Sequence, residues 1–235
     1  MIYQYKNMGK RFIIVRHGNT FRKGETPTRI GAKTDLPLVE EERARSVGKY
    51  LLSKNIIPDK VYTSPLKRTR QTAALVLEEL KLNIKPILLD SFVEIDYGVD
   101  ENKTEEEVIE RLGRQYLIKE GVLTPSSPED IVWKGQSVID LWNQKAIVPD
   151  GWLVDVDKII ATWKSFAEEI NEGETALLVS SNGIIRFAPY ILDSDYDDFC
   201  STHDIKVVTG GVCLFEYEDK KWTCKEWNVK PYKLF

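Results

Sequence analysis

Phe12-Ile13-Ile14-Val15-Arg16-His17-Gly18 is the stretch that decides the architecture. Four consecutive apolar residues, three of them β-branched, stop abruptly at Arg-His-Gly. That is the pattern of a strand buried on both faces and ended by a turn. Two further runs repeat it: Lys60 to Thr63 ends at Ser64-Pro65, and Thr175 to Ser180 ends at Ser181-Asn182-Gly183. Helical spacing fills the intervals at Glu41 to Ser53, Pro65 to Leu80 and Asp155 to Ile170. In the second of these Leu66, Ala73, Leu77 and Leu80 share one apolar face. The alternation predicts an α/β fold, a three-layer α/β/α arrangement around a mostly parallel central sheet.

Two regions depart from that alternation. Val212 to Tyr217 and Trp222 to Trp227, joined by the charged turn Glu218 to Lys221, predict a C-terminal β-hairpin at a sheet edge. Val99 to Pro149 is acidic at first, helical over Glu105 to Ile118, and then punctuated by Pro125, Pro128 and Gly135. It reads as a helical insertion (about residues 99–150) over the C-terminal edge of the strands, and as a candidate lid, within one domain spanning 1–235.

Composition narrows the function classes. The 235 residues are 42% hydrophobic and 30% charged, the values of a folded globular chain, large enough to form a core without disulfide or metal staples. Thirty-three Lys and Arg against 37 Asp and Glu give a net charge of −4, which argues against nucleic acid as the main partner. Cys200, Cys213 and Cys224 form no CxxC pair and cannot all pair with one another. With no leader-like apolar run before Arg16 and no membrane-length segment, the expectation is a cytoplasmic protein without a membrane partner.

The polar groups converge. Ligands of open α/β sheets bind beyond the carboxyl ends of the strands, and three strand ends deliver Arg16-His17-Gly18, Ser64 with Lys67 and Arg68, and Ser181-Asn182-Gly183 there. With Ser64 as helix cap and Pro65 at the first position, Lys67, Arg68 and Arg70 crowd the positive end of a helix. Cations there are disfavoured by about 0.3–1 kcal/mol each unless an anion joins them. For Lys67 and Arg70 a solvated face with partners such as Glu78 or Glu79 suffices. For Arg68 the reading is anion binding. His17, one of two histidines, sits where core packing has no use for Arg-His. A neutral imidazole nitrogen is a competent nucleophile towards phosphorus, Gly18 permits close approach, and Arg16 offsets phosphoryl charge.

These motifs resemble those of the histidine phosphatase superfamily, the phosphoglycerate-mutase-like proteins. Arg16-His17-Gly18-Asn19-Thr20 is similar to the family signature. Arg29 with Asp35-Leu-Pro-Leu38 follows, then Tyr62-Thr-Ser-Pro-Leu-Lys-Arg-Thr-Arg-Gln-Thr-Ala73, Glu94-Ile-Asp-Tyr-Gly98, and Leu177-Leu-Val-Ser-Ser-Asn-Gly-Ile-Ile-Arg186, all in the family's order. The resemblance implies that His17 is the phosphorylated nucleophile and that Arg16 and Arg68 clamp the phosphate. It implies that Glu94 protonates the leaving oxygen and then activates water. Gly18, Asn19, Lys23, Ser181 and Asn182 become candidate substrate contacts.

One departure stands out. Aligning Ser180 and Gly183 with the family's last motif puts Ser181 where a second catalytic histidine is usual and Asn182 where a glycine is usual. A serine hydroxyl and an asparagine amide still donate hydrogen bonds but carry no charge, which predicts attenuated or specialised catalysis. His203, the remaining histidine, reads as a surface loop residue, although a fold-back into the pocket is conceivable. Arg22 and Lys23 stand where the family often has tryptophan and asparagine, and Gly151-Trp-Leu153 replaces a Gly-Glu-Ser. The extra cations suit a substrate with more than one acidic group, or equally a solvated basic loop. Trp133, Trp142 and Trp152 are expected to pack the insertion rather than line a pocket.

The leading expectation is a phosphatase that hydrolyses a small phosphorylated substrate through phosphohistidine. The alternatives are a phosphoglycerate-mutase-like phosphotransferase and a degenerate member that only binds a phosphorylated ligand. No cofactor and no metal are implied: clustered His, Cys and Asp at ligand spacing are lacking, as are GxGxxG and P-loop motifs. The leaving group and the oligomeric state are not legible.

Overall fold

The computed structural model describes residues 9–122 and 127–235. A six-stranded sheet runs in the order β3-β2-β4-β1-β5-β6. Its members are β1 (Lys10–Arg16), β2 (Lys60–Thr63), β3 (Ile87–Leu88), β4 (Thr175–Ser180), β5 (Val212–Glu218) and β6 (Lys221–Val229). The first four are mutually parallel, and β5 and β6 add antiparallel on the far side of β1.

The central strands β1 and β4 are buried on both faces, as continuous apolar runs require. Along β1, Phe12 and Ile14 enter one core and Ile13 and Val15 the other; in β4, Ala176 and Leu178 oppose Leu177 and Val179. The helices α1 (Glu42–Ser53) and α2 (Lys67–Leu80) cover the second face through Val47, Tyr50, Leu51, Val76 and Leu77. On the first face α5 (Val156–Glu169) packs Trp163 and Phe166 against Phe12 and Phe92, with ring centroids 4.8–5.9 Å apart. The three-layer α/β/α expectation is therefore met, as is the terminal hairpin. Its turn is tighter than predicted: only Asp219 and Lys220 lie outside the strands, at φ 51° and 65°, the two left-handed residues that a two-residue connection needs.

The insertion holds two helices, α3 (Glu105–Lys119) and α4 (Pro128–Lys145), where the sequence predicted one. Pro128 and Gly135 do not interrupt structure. Pro128 occupies the first position of α4, capped by Ser127 Oγ, which accepts from Asp130 N at 3.2 Å. Gly135 faces Gly113 of α3 where the helices touch: a Cβ on either would lie 1.9 Å from a backbone oxygen of the other helix. Pro125 lies outside the described residues. Buried Asp100 fastens the pair to the body, accepting from Arg111 Nε at 2.6 Å and Nη2 at 2.5 Å and from Trp152 Nε1 at 2.7 Å.

Ser64 does not cap α2. Its hydroxyl pairs with Thr69 Oγ1 at 2.8 Å, and the helix starts at Lys67, whose N–H donates to Asp35 Oδ1 at 2.6 Å. The cap comes from a loop 32 residues upstream. Glu78 and Glu79 pair with Arg45 of α1, not with Lys67 or Arg70.

Candidate active site

A cavity of about 720 Å³ opens beyond the carboxyl ends of β1 and β4. Among the residues facing it are Arg16, His17, Asn19 and Lys23 from the end of β1, Glu94, and Asn182 at the start of α6 (Asn182–Ile185). Six of the sequence-predicted site residues are thus brought together.

His17 is 3% exposed. Its ring Nδ1 lies 2.7 Å from the Gly18 carbonyl oxygen, so Nδ1 carries the hydrogen and Nε2 keeps a free lone pair. Burial, reinforced by Arg16 and Arg68, holds its pKa well below the ordinary value, and the imidazole is neutral. Arg16 donates from Nη1 to the Val207 carbonyl at 2.6 Å, and its Nε has no partner among the described residues.

Glu94 is 5% exposed, its oxygens accepting from Ile95 N at 2.9 Å and Gly183 N at 3.2 Å. Burial pushes its pKa up against the pull of Arg68, the two N–H bonds and Arg16. A carboxyl tuned upward this way suits proton transfer near neutrality. Gly183 makes the placement possible, since a Cβ there would stand 2.4 Å from Glu94 Oε1.

Three predicted site residues sit behind the cavity wall. The N–H of Gly18 donates to Thr72 Oγ1 at 3.0 Å, and a Cβ added there would point at Leu38, 3.3 Å from its Cδ2; Gly18 does not face the cavity. Arg68 is fully buried and donates to the carbonyls of Thr34, Ile30 and Gly31 at 2.8, 3.3 and 3.3 Å, reaching the site through its charge. Ser181 is fully buried, and its hydroxyl has no partner among the described residues. Of the other three, Lys23 is exposed at the cavity, while Asn182 Oδ1 accepts from Val207 N at 2.9 Å and Asn19 Oδ1 from Thr209 Oγ1 at 2.5 Å, so both asparagines also brace the loop before β5. His203 does not fold back: it ends α7 (Tyr196–Thr202), exposed and stacked on Phe199 with centroids 4.2 Å apart.

The tryptophans divide. Trp152 packs in the core, Trp133 is 67% exposed, and Trp142 is both buried and part of the cavity wall. Arg186, not singled out from sequence although it closes the last motif, also faces the cavity while 1% exposed. An arginine at the end of a run of buried apolar residues, six positions after a strand, was the available signal. No helix of the described residues is long and apolar enough to cross a membrane. No group of three or more His, Cys, Asp or Glu among them is placed to hold a metal.

The sequence matches the family described as "Histidine phosphatase superfamily (branch 1)" over residues 12–230. A 2,3-bisphosphoglycerate-dependent phosphoglycerate mutase of Bifidobacterium longum is 30% identical over 234 residues, covering 96% of this chain and 90% of its own. The uncharacterized phosphatase PhoE of Bacillus subtilis is 39% identical over 100 residues, 42% of this chain and 49% of its own. In fold, a phosphoglycerate mutase of Bacillus anthracis superposes with a TM-score of 0.68 over 96% of each chain, at 24% identity.

Proposed function

Since the chain belongs to the histidine phosphatase superfamily, we propose that it hydrolyses a small phosphomonoester through a phosphohistidine on His17. The observation that carries this reading is the 2.7 Å contact of His17 Nδ1 with the Gly18 carbonyl oxygen. With Nδ1 tied to the Gly18 carbonyl and the pKa depressed, Nε2 of a neutral ring is available to the cavity. Nε2 attacks phosphorus, the P–O bond to the leaving group breaks, and protonated Glu94 gives its proton to the departing oxygen. Glu94, now a carboxylate, takes a proton from water as that water attacks phosphorus. The P–N bond breaks, and inorganic phosphate and the starting enzyme result.

Arg16 faces the phosphoryl oxygens, and Arg68 adds a second positive charge from behind the wall. Ser181, in the place of the family's second histidine, is fully buried behind the wall and brings no charge to the phosphoryl oxygens. A charge-assisted donor is lost at that place, so turnover is slower than a second histidine would allow. Asn19 and Lys23 line the entrance to the leaving-group side.

Wild-type protein incubated with phenyl phosphate is expected to release phosphate and to carry an acid-labile phosphate on His17. His17→Ala loses both. Ser181→Ala is expected to cost far less in kcat than the roughly hundredfold that loss of a direct oxyanion donor costs, and no thermal stability, because it removes a buried hydroxyl without a partner among the described residues. Absence of both turnover and phosphohistidine in the wild type refutes the proposal. The mutase names among the relatives favour a second reading, return of the phosphoryl group to another hydroxyl of the substrate. Phosphoglycerate isomerised without release of phosphate would select it.

A further inference from the structure

One group of cations lies outside the chemistry above. Lys67 and Arg70 of α2 and Lys85 of the strap before β3 are exposed and rim a hollow of about 560 Å³. Its lining is otherwise largely apolar, with Ala74, Pro86 and Leu88, the last 52% exposed. None of the three charged groups forms a salt bridge or a hydrogen bond among the described residues. Glu78 and Glu79 are taken by Arg45, and Asp35 meets Lys67 only through its backbone N–H.

A second hollow of about 360 Å³ adjoins the first at Gln71 and Ala74, where Leu38, Val39 and Leu75 add apolar surface. Its acids are already engaged: Glu41 pairs with Arg45, and Glu40 Oε2 accepts from Arg43 N at 3.2 Å. The two hollows make one groove across the exposed face of α2. Its length is apolar, and the only uncompensated charge among its described residues is the positive charge at one end. It shares no lining residue with the cavity beyond β1 and β4.

We infer that this groove docks an extended acidic peptide segment of another protein. From Lys67 to Leu75 the helix axis runs about 12 Å, the reach of about four residues of extended chain. Acidic side chains of the segment meet Lys67, Arg70 and Lys85, and apolar ones settle on Ala74 and Leu88. An inorganic anion would use the cations and leave the apolar surface wet. A nucleic acid would have to carry its continuous line of phosphates past Asp35, Glu40 and Glu41. A second copy of this chain would have to offer the acids of this same face, Glu40 and Glu41, which are already engaged.

The test uses the full chain and fluorescein-labelled hexapeptides of glutamate and leucine in all arrangements, beside the same set with glutamine for glutamate. Fluorescence anisotropy is expected to show an acidic peptide binding about tenfold or more tighter than its glutamine counterpart. Arg70→Glu combined with Lys85→Glu is expected to remove that binding. Lys81→Glu, at the exposed far end of α2, leaves it unchanged. Ala74→Arg fills the groove while adding a cation, so it weakens a seated peptide and strengthens mere charge attraction; weaker binding is expected. All these positions are exposed, and an unchanged melting temperature checks that each variant is folded. No binding by any acidic peptide, equal binding by the glutamine set, or tighter binding to Ala74→Arg overturns the inference. Displacement of the peptide by an equal concentration of inorganic phosphate or of an oligonucleotide overturns it as well, by making the groove a general anion site. So does a dimer in sedimentation equilibrium that Arg70→Glu dissociates, which would seat a second copy there. Each of these outcomes leaves the phosphomonoester reading of the separate cavity untouched.

Discussion

Replacing Gly183 by alanine probes the proton-transfer step while leaving every reacting residue in the chain. The added Cβ would sit 2.4 Å from Glu94 Oε1 and 2.8 Å from Ile95 Cγ1, whereas ordinary contact begins near 3.4 Å. The carboxyl must therefore retreat by about 1 Å, the difference between 3.4 and 2.4 Å, and its bond from the Gly183 N–H lengthens with it. Misplacing a reacting group by that much costs about a hundredfold in rate, roughly 2.7 kcal/mol of barrier. Gly183 lies in a helical turn, where alanine is favoured over glycine by about 0.5–1 kcal/mol, so the fold is expected to tolerate the change. The assay compares two substrates. An alkyl phosphate needs its leaving oxygen protonated, whereas p-nitrophenyl phosphate departs as a stable anion. Gly183→Ala is expected to slow the alkyl ester by about a hundredfold and the nitrophenyl ester much less. An equal fall for both, or no fall, would refute the placement of Glu94 as the acid.

Three further outcomes concern Glu94, His17 and Asp100. The raised pKa of Glu94 means that kcat/KM for an alkyl phosphate falls as pH rises through that value, since the free enzyme must hold the proton. Glu94→Gln removes this alkaline limb along with most of the rate, and a limb that persists in the variant would assign it elsewhere. Because the pKa of His17 lies well below 6.5, protonation of its ring gives no acid limb near that pH. Asp100→Ala leaves Arg111 and the Trp152 N–H without their shared acceptor. Arg111 is partly exposed and keeps Gln115 and the Asp150 carbonyl. The cost is therefore that of the stranded buried Trp152 N–H and the lost charge-assisted bonds, about 2–3 kcal/mol, readable as a lowered urea midpoint; a change under about 1 kcal/mol would show the insertion to be fastened by other contacts.

The sequence was most legible where burial leaves a periodic trace. β1, β2 and β4 are apolar runs bounded by turns, and their ends fall where the residues predict, because both faces of each strand are covered. β3 was missed: two exposed residues, Ile87 and Leu88, leave no pattern. The second helix of the insertion was missed because proline and glycine have two meanings that composition does not separate. Pro128 starts a helix rather than ending one, and Gly135 is small because another backbone passes against it. His17, Arg16 and Glu94 were readable from motifs. Arg186 was not, since the Trp142 indole that it stacks on is 44 residues away in sequence. Gly18 was read as room for a ligand and serves Leu38 and Thr72 instead, a distinction that only packing makes.

The cap of α2 is borrowed from afar, and the loan is mutual. Asp35 closes the first turn of the helix, while Arg68 in that turn holds the carbonyls of Ile30, Gly31 and Thr34. Neither partner is complete alone. The loop and the helix start should therefore loosen together, as one cooperative block in amide exchange, and a deletion shortening residues 30–38 would unravel a helix that it never enters.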